Sequence, residues 1–314
     1  MDNEFPHFPL VSVIIPARNE EAHIGNVVRT VISQCPDGGA VEVIVVDDGS
    51  RDHTALEAKN AGATVVSLSG KGNGGNPAAA RNCGARLAKG DPLVFLDADC
   101  VPSDGWLQAL LLAHQGGEVI VGGALELPPG LSFTARCDYY CASYLVHSKR
   151  PAGHVPHHPP PNLSVCRTAF LRTSGFTERP PLNYTNEERN WQAEIRQDGH
   201  LIYFEPKAVV YHYNRPGFLN LLRRNYRWAY TAIESKSVTG STRLSWPYQY
   251  PRLLLAASLP LVFVHTAYIL GCWMRAGVWE PVLMLPVVLV SRFAYFAGMV
   301  VGGIGWLKRQ KSAR

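Results

Sequence analysis

The sequence predicts an α/β fold in which a mixed, mostly parallel sheet is flanked by helices, followed by an interfacial helix and two C-terminal transmembrane helices. Three observations support this prediction. Short apolar runs and helical segments alternate four times between residues 10 and 100. The runs are apolar almost throughout, which is typical of strands that a parallel sheet buries on both faces. From Leu253 onward charged residues become rare, and two stretches are long enough to cross a bilayer.

Glycines and prolines separate the predicted elements of the first domain. The first strand, Leu10–Ile15, precedes a helix whose apolar residues recur at helical spacing from Ile24 to Ile32. The later predicted elements are strand 41–46, a helix from residue 52, strand 63–68, helix 77–88, a strand from residue 93, helix 105–115, strand 118–127, helical segment 131–150, a return to the sheet within 162–172, a helix ending near residue 199, and strands 201–204 and 208–211.

Polar residues follow the strands where each strand ends. Right-handed crossovers bring the C-terminal ends of parallel strands to one edge, where open α/β sheets bind ligands. That edge would carry Pro16–Glu20, Asp47-Asp48, the glycine-rich segment 70–76, and the pair Asp97 and Asp99. On an extended backbone residues i and i+2 face the same side, so both carboxylates would face one point. The pair therefore indicates a divalent cation site, with solvated turn aspartates as the alternative.

Two further segments invite a ligand interpretation. Residues 70–75 read Gly-Lys-Gly-Asn-Gly-Gly and contain a literal G-x-G-x-x-G. A dinucleotide fingerprint normally follows the first strand of its unit, whereas this one follows the third, so a phosphate-wrapping loop or a lid is favoured. His154, His157 and His158 lie in a proline-rich loop, Pro151–Pro161. Because no cysteine or acidic partner stands at ligand spacing, a mobile or acceptor-facing loop is favoured over a metal site.

Charge and cysteine content narrow the classes of protein. The net charge is +5, and basic residues concentrate beside the apolar C-terminal region, which suits a membrane surface better than nucleic acid. The seven cysteines form no C-x-x-C pair, so reduced thiols are expected rather than a disulfide framework or a zinc site. The first residues do not have the pattern of a signal peptide, and the first domain is therefore expected in the cytosol.

Taken together, several segments resemble the glycosyltransferase family 2 enzymes, which have the GT-A fold, a Rossmann-like arrangement of strands and helices. The resemblance covers roughly residues 10 to 215, in the family's order. The matching segments are Val11–Glu20, Val45–Thr54, Ala80–Gly84, Phe95–Asp99, Gly175-Phe176, Glu187-Glu188 with Gly199-His200, and Pro206–His212. The resemblance implies inverting transfer of a sugar from a nucleotide-sugar donor, with Mg²⁺ or Mn²⁺ as the cofactor.

The resemblance also implies roles for residues at matching positions. Asp48 would bind the base of the nucleotide, and Asp99 would be the more direct metal ligand of the Asp-x-Asp motif. The implied donor-binding residues are Pro16, Ala17, Glu20, Asp48, Arg81, Asp97 and Asp99. The implied metal ligands are Asp99, Asp97 and, as in some members of the family, a histidine at the position of His212.

The family's catalytic base is usually the aspartate of a Glu-Asp pair. Here the pair is Glu187-Glu188, so Glu188 is predicted as the base and Glu187 as the runner-up. The alternative is that both are helix-starting glutamates stabilised by the helix dipole. The predicted acceptor-side residues are Asn162, Trp191, Arg227 and Trp228.

Arg227-Trp228 matches the end of a Gln-x-x-Arg-Trp motif that some processive members carry. Arg224 replaces the glutamine, so a polymer synthase is not expected. The predicted domains are a cytosolic catalytic domain at 1–215, an amphipathic interfacial segment at 216–250, two transmembrane helices at about 253–274 and 281–307, and a basic cytosolic tail at 308–314. A plain amphipathic core helix is the alternative for the interfacial segment.

Arg292 stands inside the second predicted span. A central arginine costs about 2.5–3.5 kcal/mol on insertion scales, so Arg292 should face a partner helix, another protomer or a lipid phosphate, unless the segment is re-entrant. The basic tail would keep the C-terminus in the cytosol, and two spans would place both termini on that side.

The leading hypothesis is an inverting, metal-dependent glycosyltransferase with a membrane-associated acceptor, a lipid or a lipid-linked glycan, as in glycolipid or cell-envelope glycan biosynthesis. Three alternatives stay open. They are a polyprenyl-phosphate glycosyltransferase, a nucleotidyltransferase, and a catalytically silent membrane subunit that binds nucleotide. No nucleic-acid partner is expected, and the transmembrane helices leave room for homo-oligomers.

Overall fold

The computed structural model describes residues 10–35, 39–68, 75–182, 184–239 and 246–312. This part of the chain divides into two compact units. The first unit comprises the chain up to Glu126 together with Pro151–His212, and the second comprises Leu127–Arg150 together with the chain from Tyr213 onward. Most of the predicted glycine-rich loop, residues 70–74, and the end of the basic tail, residues 313–314, lie outside the described residues. The predicted domain boundaries remain predictions.

The first unit is built on a mixed sheet, and its described residues form nine strands. The strands are β1 (Val11–Ala17), β2 (Val41–Asp47), β3 (Thr64–Ser67), β4 (Leu93–Leu96), β5 (Cys100–Pro102), β6 (Ile120–Glu126), β7 (Gly153–Val155), β8 (Asn162–Val165) and β9 (Ile202–His212). Their order is β3-β2-β1-β4-β8-β6-β9-β5, and β7 pairs with β9. Strands β1 to β4 are parallel, whereas β8 runs antiparallel to both of its neighbours. The predicted α/β class is confirmed.

Helices cover the sheet in the first unit and form the whole of the second. In chain order they are α1 (Ile24–Ser33), α2 (Thr54–Asn60), α3 (Pro77–Leu87), α4 (Trp106–Gln115), α5 (Phe133–Ala142), α6 (Arg167–Leu171), α7 (Arg189–Gln197), α8 (Phe218–Tyr230), α9 (Ala232–Thr239), α10 (Pro251–Ala256), α11 (Ser258–Arg275), α12 (Glu280–Leu283) and α13 (Leu285–Ser312), with a short 3-10 helix at Trp246–Gln249. Helices α5 and α8 to α13 belong to the second unit.

Local sequence explains where the helices of the first unit begin and which face they bury. The apolar residues of α1 that recur at helical spacing, such as Ile24, Val28 and Val31, are fully buried. Asn76 caps α3, because its side chain accepts a hydrogen bond from the Ala79 N–H and Pro77 occupies the first turn. The N-terminus of α3 is thereby fixed by a side chain that directly precedes the helix.

One prediction about the strands is wrong. The predicted strands 201–204 and 208–211 are a single strand, β9, with a register shift against β6 between Gly123 and Ala124. The shift falls at Pro206, which has no N–H for the ladder and is tolerated in a sheet at such an irregularity. The strand therefore continues past the proline and carries His212 to its end.

Close packing between α8 and α13 organises the second unit. Gly298 and Gly302 lie one helical turn apart on α13, and a Cβ atom at either position would overlap the backbone carbonyl of Tyr226 or Tyr230 on α8. Small residues at such spacing let two helices approach closely, as in membrane helix pairs. The amphipathic segment predicted at 216–250 thus contains a helix whose buried side faces another helix of the same unit.

Arg292 is buried at this helix pair. Its Nη2 donates to the side-chain oxygen of Asn225 on α8, and its guanidinium lies 5.1 Å from the ring centroid of Tyr295. The Asn225 amide in turn donates to the carbonyl of Leu221 at 2.8 Å. A partner helix, the first of the neighbours expected for Arg292, is therefore the one found.

The prediction of two spans is corrected to one candidate. Within the described ranges, α13 alone is long and apolar enough to cross a membrane, and 44% of its apolar stretch is buried inside the protein. The predicted first span, 253–274, is interrupted between α10 and α11. Pro260 has no N–H to donate to the Ala256 carbonyl and its ring would clash with it, which disfavours one continuous helix. Pro286 likewise disfavours one continuous helix through the second predicted span, 281–307, and α13 accordingly begins at Leu285.

We expect Gly302→Ala to lower the free energy of unfolding by about 1–3 kcal/mol, because the added methyl group forces α13 away from the Tyr230 carbonyl. Gly305→Ala, on the same helix, is the matched control, since a Cβ there would make only ordinary contacts and alanine favours helix by up to about 1 kcal/mol. Thermal unfolding in detergent micelles, followed by circular dichroism, compares the two. Equal melting temperatures would contradict the close approach of α8 and α13.

Candidate active site

The segments that follow β1, β2 and β3 are tied together at one edge of the first unit. Ala17, at the end of β1, pairs with Asp47, and its carbonyl accepts the N–H of Asp48 at 2.9 Å. Asp48 Oδ2 in turn accepts the N–H of Gly75 at 3.1 Å. The N–H of Glu20 donates to Thr54 Oγ1 at 2.8 Å. The predicted convergence of these segments is therefore present, with Pro16 inside β1 just ahead of them.

Arg81, on α3, joins two carboxylates that are far apart in the sequence. Its Nη2 donates to Asp97 Oδ1 at 2.6 Å, and its Nη1 donates to Glu187 Oε1 at 2.8 Å. The side chain is buried, and burial alone would lower the pKa of the guanidinium. The ion pairs with Asp97 and Glu187 outweigh burial and raise that pKa. Arg81 is therefore a fixed positive charge between the Asp-x-Asp segment and the glutamate pair.

The two aspartates of the Asp-x-Asp segment do not continue a strand. Strand β4 ends at Leu96, and the Cys100 N–H donates to the Asp97 carbonyl at 3.0 Å, which closes a turn. The expectation that both carboxylates extend from one strand toward the same point is therefore wrong. Asp97 is held by Arg81, whereas Asp99 lies beside His212, with Oδ1 3.5 Å from Nε2. Because of the turn, the two carboxylates have different partners.

Asp99, Cys100 and His212 form a group with the dimensions of a metal site. Cys100 pairs with His212 across β5 and β9, and the possible ligand atoms of the three residues all lie within 4.8 Å of one another. Burial, together with the charges of Asp99 and Asp97, raises the pKa of the Cys100 thiol, and Mg²⁺ and Mn²⁺ prefer oxygen ligands to the soft sulfur of a cysteine. The carboxylate of Asp99 and the imidazole of His212 are donors that suit Mn²⁺. Asp97 is not part of this group.

Glu187 and Glu188 are buried at the start of α7. Asn186, immediately before them, adopts a left-handed φ of 61°, which asparagine tolerates better than most residues. Burial and the neighbouring Glu188 carboxylate raise the pKa of Glu187 to about 7, against the opposing effect of Arg81. Burial also raises the pKa of Glu188. Buried carboxylates with raised pKa values fit a proton-accepting role better than solvated residues at a helix start.

The histidine-rich segment is packed into the first unit. His154 lies in β7 and its Nε2 is 3.1 Å from Glu118 Oε1, while His158 is fully buried. His157 Nε2 contacts Glu188 Oε1. None of the three histidines belongs to a metal-like group among the described residues. Of the three, His157 therefore has the direct contact with a predicted catalytic residue.

The predicted acceptor-side residues do not form one cluster. The Asn162 side chain is fully buried and bonded to Trp106 and to the carbonyls of Ala124 and Ala208. Trp191 is fully buried among aromatic rings, 5.2 Å from that of Phe170. Both residues lie in the core of the first unit, where Asn162 makes buried hydrogen bonds and Trp191 packs against aromatic rings. Arg227 and Trp228 lie on α8 in the second unit.

Sequence reasoning missed two residues of this region besides His157. Cys100 belongs to the metal-like group. It could have been found only from the pairing of β5 with β9, which the sequence does not display. Asn82 donates to the Phe176 carbonyl at 2.8 Å and accepts the Phe176 N–H at 2.9 Å, which fixes Gly175-Phe176 beside Arg81. Gly175 is required there, since its φ is +67° and a Cβ atom would press on Asn82. The position of Asn82 directly after Arg81, a predicted donor-binding residue, is the sequence feature that could have identified it.

Comparison with known proteins places these features in a family. A sequence model described as Glycosyl transferase family 2 matches residues 12–136. Glycosyltransferase AglE of Haloferax volcanii is 29% identical over 231 residues, which are 70% of this chain and 71% of that protein. The undecaprenyl-phosphate 4-deoxy-4-formamido-L-arabinose transferase of Pseudomonas aeruginosa is 40% identical over 117 residues, which are 35% of this chain and 34% of that protein. Matches to other relatives span 27% to 43% of their length.

The solved structures agree with the fold. Mannosyltransferase PcManGT from Pyrobaculum calidifontis, solved in complex with GDP-Man and Mn²⁺, superposes with a TM-score of 0.60. The superposition covers 95% of this chain and 87% of that structure, at 18% sequence identity. A likeness at this identity supports the GT-A fold alone.

Proposed function

Because the chain belongs to glycosyltransferase family 2, we propose that it transfers a sugar, with inversion, from a nucleotide-sugar donor to a membrane-associated lipid or lipid-linked acceptor. The arrangement around Arg81 supports this proposal most directly. One guanidinium holds Asp97 and Glu187, with Glu188 next in the chain, in the unit that also carries Asp99 beside His212. A donor-side acidic segment and a buried base candidate are thereby linked through a single residue.

In this mechanism the buried glutamate acts on the acceptor. Glu188 accepts the proton of an acceptor hydroxyl while the hydroxyl oxygen attacks the anomeric carbon from the side opposite the diphosphate. The bond between sugar and phosphate breaks, the nucleoside diphosphate leaves, and the anomeric centre is inverted. Arg81 keeps Asp97 and Glu187 charge-compensated while Glu188 takes up the proton.

On the donor side, Asp48 and the segment Pro16–Glu20 would hold the nucleotide, at the edge where the residues after β1 and β2 meet. A divalent cation, Mn²⁺ or Mg²⁺, held by Asp99 and His212 would supply positive charge to the diphosphate leaving group. The carboxylate and imidazole donors fit such an ion, while the soft sulfur of Cys100, the third member of the group, suits Mg²⁺ and Mn²⁺ less well.

We propose that the second unit binds the membrane through α13. Apolar side chains on this helix and on α11 are exposed, among them Phe263, Val264 and Val301. Basic residues close α13, which suits contact with anionic headgroups on the cytosolic side, where nucleotide sugars are found. The catalytic unit would then meet acceptors that reside in the bilayer.

A polyprenyl phosphate is the second candidate acceptor. The undecaprenyl-phosphate transferase of Pseudomonas aeruginosa supports it, although that match covers about a third of each chain. A phosphate oxygen is already ionised at neutral pH and needs no base, whereas a hydroxyl does. The buried Glu187-Glu188 pair with raised pKa values therefore favours the hydroxyl acceptor.

Isothermal titration of the full chain with UDP and GDP, with and without Mn²⁺, tests the donor. We expect one nucleotide to bind, and to bind more tightly with the cation. Absence of metal-dependent nucleotide binding would contradict the proposal. Incubation with UDP-glucose or GDP-mannose then separates an enzyme from a silent subunit, which would bind nucleotide without releasing it from the sugar. A nucleotidyltransferase would instead release pyrophosphate from nucleoside triphosphates.

Mass spectrometry of lipid extracts from cells with and without this chain tests the acceptor. A glycosylated lipid that appears with the chain identifies the acceptor by its mass. A sugar linked through a phosphate would select the polyprenyl-phosphate candidate over a hydroxyl acceptor.

The rate of donor turnover is expected to fall as the pH is lowered into the range in which the catalytic glutamate takes up a proton. A base must be ionised to accept a proton, and burial raises the pKa of Glu188 above its ordinary value of 4.5, while the pKa of the neighbouring Glu187 is raised to about 7. The rate of nucleoside diphosphate release at saturating donor, measured from about pH 5 to about pH 9, gives the midpoint. In Glu187→Gln the midpoint should move toward acid, because a like charge beside Glu188 is removed. A wild-type midpoint near the ordinary value would contradict a buried base.

A further inference from the structure

One face of α7 holds the segment 156–158 along its length. Glu188, Gln192 and Arg196 are spaced four residues apart, so they lie on the same side of the helix. Glu188 contacts the ring of His157, Gln192 contacts the backbone of His158, and Arg196 Nη1 donates to the carbonyl of Pro156. Three successive residues of the segment are thus each held by one residue of the helix face.

The Gln192 contact is double and buried. Its Nε2 donates to the His158 carbonyl at 2.7 Å, and its Oε1 accepts the His158 N–H at 3.3 Å. Because Gln192 is fully buried, both bonds are shielded from water. The backbone directly after His157 is therefore fixed in position and direction relative to α7.

The ring of His158 anchors the same segment from the other side. It is fully buried, and its two nitrogens each lie 2.9 Å from a carbonyl oxygen, those of Pro159 and Gly123. Gly123 belongs to β6, so this contact ties the segment to the central sheet. The neighbouring His157 ring consequently has a defined location, with its Nε2 against Glu188 Oε1.

Glu188 lies in a mixed electrostatic environment. The charged and titratable groups around it are Glu187 and Arg189 in its own segment, Arg81 on α3, and His157 and His158 in the segment before β8. Of these, His157 makes the hydrogen bond to the carboxylate itself. An ionised carboxylate only accepts hydrogen bonds, so in the ionised state of Glu188, the state that can act as a base, His157 Nε2 is the donor.

We propose that His157 is a positioning residue for Glu188. Its Nε2–H holds Oε1, which leaves Oε2 as the atom that takes the proton of the acceptor hydroxyl. The general pattern is a base oriented by a third group, which fixes both its direction and its ionisation. This proposal rests on the proposed function, in which Glu188 is the base.

The test compares His157→Ala, His157→Asn and the control His154→Ala in the full chain. His154 is the matched histidine, because it lies three residues earlier, bonds Glu118 and is half exposed. The assay measures release of GDP from GDP-mannose, or of UDP from UDP-glucose if UDP is the nucleotide that binds. It is run with Mn²⁺ and with vesicles of phosphatidylethanolamine and phosphatidylglycerol as the membrane surface. Water serves as the acceptor.

We expect His157→Ala to slow nucleotide release by about 10-fold to 100-fold with unchanged nucleotide affinity, since an unheld base loses much of the 10²–10⁴-fold that such a base contributes. The acidic limb of its pH–rate profile, where the rate falls with falling pH, should move to higher pH. The reason is that the ionised carboxylate loses a hydrogen-bond donor, which raises the pKa of Glu188. His157→Asn, which keeps an N–H donor, should recover most of the rate and return the limb toward wild type. His154→Ala should match wild type.

A His157→Ala variant with wild-type rate and limb would overturn the role of His157. If His157→Ala instead loses nucleotide binding, His157→Asn decides the question. Retained binding in His157→Asn, with both the rate and the acidic limb restored, supports positioning, and any other result overturns it. A wild-type chain that neither binds nucleotide with Mn²⁺ nor releases it from a donor would instead overturn the proposed function. The two failures are therefore separate.

Discussion

Asp99→Ala is expected to lower the rate of sugar transfer by about three orders of magnitude. A bound cation stabilises transition-state charge by several kcal/mol, and each 1.4 kcal/mol is about tenfold in rate. The substitution removes the only carboxylate of the metal-like group among the described residues and leaves His212 and the soft sulfur of Cys100. Titration with the nucleotide should show the same loss, as binding that no longer responds to Mn²⁺.

Asp104→Ala is the control for this substitution. Asp104 is exposed, five residues further along the chain, and outside the metal-like group. It should leave both turnover and the Mn²⁺ response unchanged. Unchanged turnover in Asp99→Ala would remove Asp99 from the metal site.

Asp97 is expected to behave differently from Asp99. Its carboxylate is committed to Arg81, so Asp97→Asn would weaken a partly buried ion pair rather than remove a ligand of the Asp99–His212 group. Breaking a buried pair destabilises the fold because it leaves a charge uncompensated. A lower melting temperature with a retained Mn²⁺ response would be the signature of that role.

Glu188→Gln should reduce transfer by about 10²-fold to 10⁴-fold, the range that a general base contributes. Glutamine has nearly the shape of glutamate and can still accept the hydrogen bond from His157 through its amide oxygen. It cannot take up a proton. Nucleotide affinity should therefore stay at the wild-type value, and the loss should appear in the turnover number.

Two comparisons make this test specific. Glu194→Gln, on the same helix and bonded to Ser174, is the control and should retain activity. Glu187→Gln leaves Arg81 paired with Asp97 alone, which alters charge balance without removing the predicted base. If Glu187→Gln is the inactive variant while Glu188→Gln transfers sugar, the base has been assigned to the wrong residue.

Patterns that are local in the sequence predicted the fold well. The strand ends that carry Ala17 and Asp48 could be placed because a buried parallel strand is an uninterrupted apolar run that stops at polar residues. The division of the predicted first span was also local. Pro260 was readable as a helix interruption, but the apolar length of the stretch outweighed it in the prediction.

The geometry of the site depended on contacts that no local pattern displays. The turn at Asp97–Asp99 follows from where β4 loses its neighbour, and the pairing of Cys100 with His212 joins residues 112 positions apart. The assignment of Leu127–Arg150 to the second unit is equally non-local. Trp191, which was predicted on the acceptor side, is fully buried, because the position of a residue on a predicted helix does not show which face of that helix meets the core.

The place of β9 in the sheet has a consequence for the order in which the protein can mature. This strand is the last of the first unit to be synthesised, and it pairs with β5, β6 and β7. A nascent chain that stops before Ile202 therefore leaves three strands without this partner and lacks His212 altogether. The cation proposed for Asp99 and His212 could therefore bind only after translation has passed β9, and it would stabilise chains that contain the whole first unit but not shorter ones.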